Sequence, residues 1–398
     1  MTRNRRSIYV YYALLAGLLL FPWGGLAGQS ILGTQGLGLP MEPMDARARA
    51  LGSVGTGLFG GNLTPLDPAS AVDLLIPTLN MTMQPYWGSG NWNDQTSDGR
   101  GTRFPLLGLA YPVAALQGMV TVTFGGYMDQ WWEVEAQGTE DLGGVTIPVT
   151  NTYRSEGGIS SVTLGWSQRL GSRLALAVAG GYHTGSVTRT FFRSFDSVAV
   201  SGGAVSGYRD GGKWQYGGPS GSLGVTWDPV TFLRVSGSMT WNGDLEADPS
   251  TDTKGEAATF SLPMEYRLGA SGVLNQNLTL TLGMAFADWE PSEGGLPAEA
   301  LVGGVWTLGG GLEWDALRLG SRSVPLRFGM RRSTLPFRFE GEDPTESILS
   351  GGLGLNFTQA EDFVLAGMDL ALERGSREAG PFSEDFWRGT LTVRVSGW

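Results

Sequence analysis

A transmembrane antiparallel β-barrel of about fourteen strands, holding a separate N-terminal segment in its lumen, is the fold class this sequence predicts. Three observations carry that expectation. Apolar residues recur with a period of two over most of the chain, long and short connections alternate, and the composition suits an exported protein. The stretch 260–290, FSLPMEYRLGASGVLNQNLTLTLGMAFADWE, shows the first observation best. Leu278, Leu280, Leu282, Met284 and Phe286 alternate with Thr279, Thr281, Gly283, Ala285 and Ala287. Phe260, Leu262, Met264, Tyr266 and Leu268 likewise alternate with Ser261, Pro263, Glu265, Arg267 and Gly269. In a strand this puts bulky side chains on one face and small or polar ones on the other, with a tight turn at 274–277 making a hairpin. A bulky outer face opposite a small polar face is what lipid outside and a lumen inside require.

Composition narrows the class further. The chain has no cysteine, which excludes disulfides and thiol chemistry, and a single histidine, which argues against a His-ligated metal centre. No metal site or cofactor is therefore expected. A net charge of −11 argues against nucleic-acid binding, which needs a basic face. Sixty-three glycines (Gly 63), 14 tryptophans and a charged fraction of only 16% fit an outer-membrane barrel better than a soluble domain.

The elements follow in chain order. Arg3, Arg5 and Arg6 precede an apolar run over 8–21, with Gly25, Ala27 and Gly28 after it, so residues 1–28 read as a secretory signal peptide. Gln29 stands where a lipidated cysteine would have to be, which excludes an acyl anchor. Residues 29–72 are rich in Gly and Pro, carry a short helical patch at 44–51, and lack a long alternation, so they are assigned to an N-terminal plug. The remainder, 73–398, forms the wall. Candidate strands lie near 75–87, 102–113, 118–134, 152–170, 173–193, 209–228, 231–244, 256–269, 278–289, 301–314, 323–337, 347–357, 363–374 and 386–397. Long connections at 88–101, 135–151, 194–208, 245–255, 290–300, 338–346 and 375–385 alternate with shorter ones, as extracellular loops alternate with periplasmic turns. Both termini then fall on the periplasmic side. Trp and Tyr gather at strand ends (Tyr86, Trp87, Trp131, Trp132, Trp241, Trp289, Trp314, Trp387), as interfacial girdles do.

With the strands placed, the chain resembles the FadL-type outer-membrane transporters of long-chain fatty acids and other hydrophobic compounds. The resemblance is carried by the 260–290 hairpin (Pro263, Leu268, Gly269, Asp288, Trp289), by PLRFGMRRSTLPF with SILSGGLGLNF, and by ARALGSVGTGLFGGNLTPLDPASAV. The last is similar to the family's plug, with Asp67-Pro68-Ala69 in place of Asn-Pro-Ala. PorV-like barrels, which serve protein secretion, share the plug pattern and are the alternative. The resemblance implies passive uptake: a hydrophobic ligand enters an apolar lumen pocket and leaves sideways through a kink in the third strand. Gly125-Gly126 stands mid-way along that strand and is the candidate gate. Implied partners are outer-membrane lipid, hydrophobic small molecules and, during biogenesis, the barrel-assembly machinery; a monomer is expected.

Candidate site residues come from the strand phase. Arg234, Arg267, Arg327 and Arg331 face the lumen and are candidate ligand-binding cations, because a charge-assisted bond could hold a carboxylate. Alternatively, they pair with Glu265, Asp369, Glu373 and the plug's Asp45 and Asp67. His183 falls on the lumen phase without a second histidine or triad partner, so no catalytic residue is assigned. The glycine-rich run 52–61 lacks the Lys-Ser or Lys-Thr of a phosphate loop.

Overall fold

A computed structural model describes residues 30–397 except 93–94, 143, 196–206, 290–301, 316, 320–321 and 361–362. The expected signal peptide lies outside the described residues, as do 290–300 and most of 194–208. Among the described residues a closed 14-strand antiparallel barrel forms. Its wall strands are β1 (Thr78–Trp92), β2 (Gln95–Val113), β3 (Gly118–Asp129, resuming as Trp132–Leu142), β4 (Val145–Leu170), β5 (Leu174–Phe195), β6 (Tyr208–Val230) and β7 (Leu233–Asn242, resuming as Asp244–Pro249). They continue as β8 (Ala258–Ser261, then Glu265–Asn275), β9 (Leu278–Asp288), β10 (Gly304–Trp314), β11 (Leu326–Thr334), β12 (Thr345–Ala360), β13 (Phe363–Ala379) and β14 (Phe382–Ser396). Closure comes from β1 pairing with β14, from Thr78↔Ser396 to Asn91↔Ser383. A closed wall leaves no unpaired edge facing lipid, which is why strands can cross a bilayer.

The outer surface explains the alternation. Leu268, Leu282, Phe328 and Leu349 are each at least half exposed, at 50%, 56%, 61% and 63%. An apolar band of this extent in water would be an aggregation surface; lipid accommodates it. Their neighbours Arg267, Thr281, Arg327 and Ile348 turn inward.

Three expectations need correction. First, most of the long loops are extended hairpins. Residues 88–101 are strand up to Trp92 and again from Gln95, 135–151 are strand except around 143–144, and β13 and β14 run to Ala379 and from Phe382. Beyond the membrane both faces of a strand are polar, so the alternation fades while the backbone ladder continues. Second, β8 does not keep one phase. It breaks at residues 262–264, and Leu262 is buried inside the barrel while Met264, Tyr266 and Leu268 face outward. Pro263 has no N–H for the ladder, so the strand is interrupted there and resumes out of phase. Third, the expected periplasmic side for both termini does not extend to Ser30. Its Oγ donates to Glu384 Oε2 at 2.8 Å, at the long-hairpin end, whereas Gly397 N donates to Pro77 O at the short-turn end.

Much of the stretch 30–74 is buried against the wall strands. Leu39–Pro40 forms a two-residue strand against Met128 and Asp129 of β3. The expected helical patch is a short α-helix, α1 (Ala46–Ala50), capped by the Asp45 side chain accepting from Ala48 N. Ala46 and Ala50 pack on Ala371 of β13, and Ser350 Oγ of β12 donates to Ala50 O. Residues this small let the helix lie against the wall.

Candidate ligand cavity

The wall is not evenly paired around β3. It pairs with β2 only as far as Gly125↔Leu106, and its register with β4 shifts between Gly126 and Met128. Past that point β2 pairs with β1 alone, and Leu39–Pro40 takes its place against β3. The reason lies in the two glycines. A Cβ at Gly125 would stand 2.8 Å from Pro43 Cβ, and one at Gly126 would overlap the Met41 thioether. Only glycine lets the N-terminal segment lie this close. Across the unpaired stretch Arg103 Nη1 donates to Asp129 Oδ2 at 3.0 Å.

Beside this break lies a lumen cavity of about 170 Å³, with Leu39, Met41, Tyr127, His183 and Trp289 in its lining. An apolar cluster adjoins it through Met128 and Trp289: Leu37 from the N-terminal segment with Met128, Ile159, Val187, Tyr216, Leu245, Leu262 and Trp289 from successive strands. Strand breaks bring three of these inward. The shift after Gly126 carries Met128, the interruption at Gly243 reverses β7 so that Leu245 and Ala247 point in, and the break at Pro263 does the same for Leu262. A strict period-two reading sends Leu262 to lipid.

Part of the cavity's lining is charged and neutralised. Glu42 stands between Arg331, with which it shares a hydrogen bond, Arg267 at 3.7 Å and Arg49 at 3.8 Å. Glu346 is 3.6 Å from Arg331 and 2.8 Å from Arg377, while Arg388 makes a bidentate pair with Glu373 at 2.8 and 3.0 Å. Burial raises the Glu42 pKa, but Arg331, Arg49 and Arg267 outweigh it and hold the carboxyl below its usual range.

Of the four candidate cations, Arg267 and Arg331 line this cavity. Arg234 and Arg327 lie elsewhere in the lumen. Arg234 binds Asp228 and Asp73 at 2.8 and 2.6 Å, and Arg327 binds Glu313 and Asp369, both at 2.6 Å. The acids of the N-terminal segment that pair with lumen arginines are Glu42 and Asp73. Asp45 caps α1 instead, and Asp67 Oδ2 accepts from Gly57 N at 3.0 Å. Burial pushes the Asp67 carboxyl up to about 6, against the Gly57 N–H and Arg234. Pro68 and Ala69 open a 3₁₀ turn (Pro68–Asp73) over Gly224 of β6, where a Cβ would stand 2.9 Å from Pro68.

Phase reasoning placed His183 on the lumen side but missed the cavity around it. Tyr127, Met128 and Leu245 lie on strand portions whose phase is set by the breaks. The available signals were Gly126, Gly243 and Pro263 interrupting otherwise regular alternation.

No family model and no curated protein matches this chain. Solved structures do. A Pseudomonas aeruginosa FadL homologue superposes with a TM-score of 0.62 at 11% identity, covering 90% of this chain and 99% of that one. The Ralstonia pickettii toluene transporter TbuX gives 0.60 at 14% identity, covering 90% and 99%. The Pseudomonas putida toluene transporter TodX gives 0.57 at 12%, covering 90% and 98%. At such identities the likeness establishes a shared fold, that of a closed antiparallel barrel.

Proposed function

We propose that this chain, with the fold of the FadL homologue and the toluene transporters, is a passive outer-membrane channel for hydrophobic compounds. The cavity carries this reading: Leu39, Met41 and Leu66 of the N-terminal segment and Met128, Trp289 and Leu335 of the wall side line one space inside a membrane barrel. A compound enters from the long-hairpin end, taken as extracellular, and gains about 25 cal/mol for each Å² of apolar surface removed from water. Residues 30–72 act as a plug. Straight descent would carry an apolar molecule past the ion pairs of Arg234 with Asp73 and of Arg327 with Glu313 near the short-turn end, with nothing there to replace its contacts. Departure sideways into the bilayer, where β3 parts from β2 beyond Gly125 and Gly126, avoids that passage. A fatty-acid carboxylate would have to displace Glu42 from Arg267 and Arg331.

The paired charges would also suit a protein-interaction barrel of the PorV-like kind. They tie Glu42 of the N-terminal segment to Arg331 and Arg267 of the wall, however, and leave the cavity itself open to a ligand. The test is entry of radiolabelled hydrophobic compounds into cells whose lipopolysaccharide-bearing outer membrane lacks other such channels. Expression of the full chain should speed uptake without raising permeability to small hydrophilic solutes. Equal uptake with and without the assembled protein would overturn the reading.

A further inference from the structure

We propose that the outer wall carries a seat for one anionic phospholipid of the periplasmic leaflet, on strands β5 to β8 at the short-turn end. It is independent of what the lumen carries. The argument begins with Gly237 of β7, which points away from the lumen. It pairs with Val225 of β6 and Leu268 of β8, both exposed on the lipid face. A Cβ there would stand 3.8 Å from Leu268 Cδ1 and 3.9 Å from Val225 Cγ1, in ordinary contact, so the missing side chain leaves a notch between two apolar ones. Glycines on the lumen side, such as Gly269 and Gly329, make room for the N-terminal segment. Gly237 makes room for nothing among the described residues, and a glycine within a strand often marks the close approach of a ligand.

The notch belongs to a groove. Half-buried Leu174, Val235 and Gly237 form its floor, and Leu170, Trp227 and Leu268, exposed by 47%, 52% and 50%, stand at its rim. Strand register sets them together, because Leu174 pairs with Trp227 and Trp227 with Val235. Such a surface, turned toward lipid, fits one acyl chain. Lipid tails are as apolar as leucine, so the chain gains close contact there rather than hydrophobic free energy. Any preference for one lipid over another must come from the polar end of the groove.

Ser172 and Arg173 of the tight turn between β4 and β5 form that end. Asp228 N donates to Arg173 O at 2.7 Å, which ties this turn to β6. Among the described residues, neither the Ser172 hydroxyl nor the Arg173 guanidinium has a partner within the protein. The carboxylate of Asp228 is already taken: Arg234 grips both oxygens, at 2.8 and 2.9 Å, and Arg169 stands 3.8 Å away. Arg173 thus keeps an unneutralised charge, which a phosphate meets with charge-assisted hydrogen bonds. Trp227, paired with the next residue, supplies the ring that favours the headgroup level. No acidic side chain lines the groove among the described residues, so an ethanolamine ammonium finds no acceptor and a net anionic headgroup is favoured. Lipopolysaccharide also carries phosphates, but it occupies the leaflet opposite these turns, taken as periplasmic.

The test uses the full assembled protein, delipidated in detergent and titrated with phosphatidylglycerol, with bound lipids counted by native mass spectrometry. The first phosphatidylglycerol should bind about tenfold more tightly to the wild type than to Arg173→Gln, as one charge-assisted contact allows. Gly237→Leu fills the notch without touching the turn and should weaken the same lipid severalfold. Both side chains point outward, so the wall assembles in either variant. Arg332→Gln removes an exposed cation that faces outward beside Leu308, near the long-hairpin end, and should change nothing. Equal losses in Arg173→Gln and Arg332→Gln would trace the effect to overall charge and overturn the seat. So would a first lipid held as tightly by Arg173→Gln and Gly237→Leu as by the wild type, the mark of annular lipid only. Phosphatidylethanolamine bound as tightly as phosphatidylglycerol overturns the anionic headgroup, and lipid A displacing phosphatidylglycerol overturns the leaflet.

Discussion

At the scale of single residues, the lumen is governed by which charges have partners. Glu42 and Asp67 belong to the same N-terminal segment and respond oppositely to acid. Burial raises the Asp67 carboxyl to about 6 from an ordinary 3.8, so at neutral pH its charged form burdens the docked segment. Stability rises as pH falls through about 6 and levels off near 3.8, by at most roughly 3 kcal/mol in all. Glu42 is held below its ordinary 4.5, chiefly by Arg331 against burial, so its contribution is present above pH 4.5 and lost as pH falls through its lowered value. Resistance to urea is therefore expected to peak at mildly acid pH. Asp67→Asn should abolish the rise between pH 7 and 5 while leaving the acid loss. Identical pH profiles for the two proteins would refute this account of Asp67.

Among elements, the contact that matters most is between residues 51–57 and a glycine-lined patch of wall. Cβ atoms at Gly309 of β10 or Gly329 of β11 would overlap the backbone of Leu51 and Gly52, which cannot move aside as a side chain could. Gly52 itself has φ +56, a left-handed conformation glycine adopts freely. This gives the sequence motifs a cause: Gly269 in the Leu-Gly-Ala run and Gly329 in the Leu-Arg-Phe-Gly run are where the segment touches the wall. Gly329→Val should lift the segment, increasing ion conductance in a planar bilayer severalfold while the wall remains heat-resistant. Gly351→Val is the control, since its Cβ would meet nothing nearer than 3.7 Å. Equal conductance in the two variants would mean that residues 30–72 do not obstruct the pore.

For the whole molecule, closure and the asymmetry of the two ends set the topology. The turns at 171–173 and 276–277 are tight, while the opposite end carries the extended hairpins around 143–144 and 380–381. Protease added to intact cells should cut near residues 143–144 or 335–344 and spare 171–173 and 276–277. Cleavage confined to the tight turns would invert the barrel in the membrane and, with it, the direction of entry argued above.

The sequence by itself determined the class, the strand number and the inward set of arginines, because alternation and turn spacing are local properties that lipid on one side and a lumen on the other impose strand by strand. It also placed the short helix and marked Gly125-Gly126. Tertiary structure decided the rest. Whether Arg331 is free or neutralised depends on Glu42, a residue 289 positions away. The inward turn of Leu245 and Leu262 depends on short interruptions, at 243 and at 262–264, across which the facing of the side chains reverses. A cavity of this kind exists only where several such strands meet, and no single strand's pattern records its neighbours.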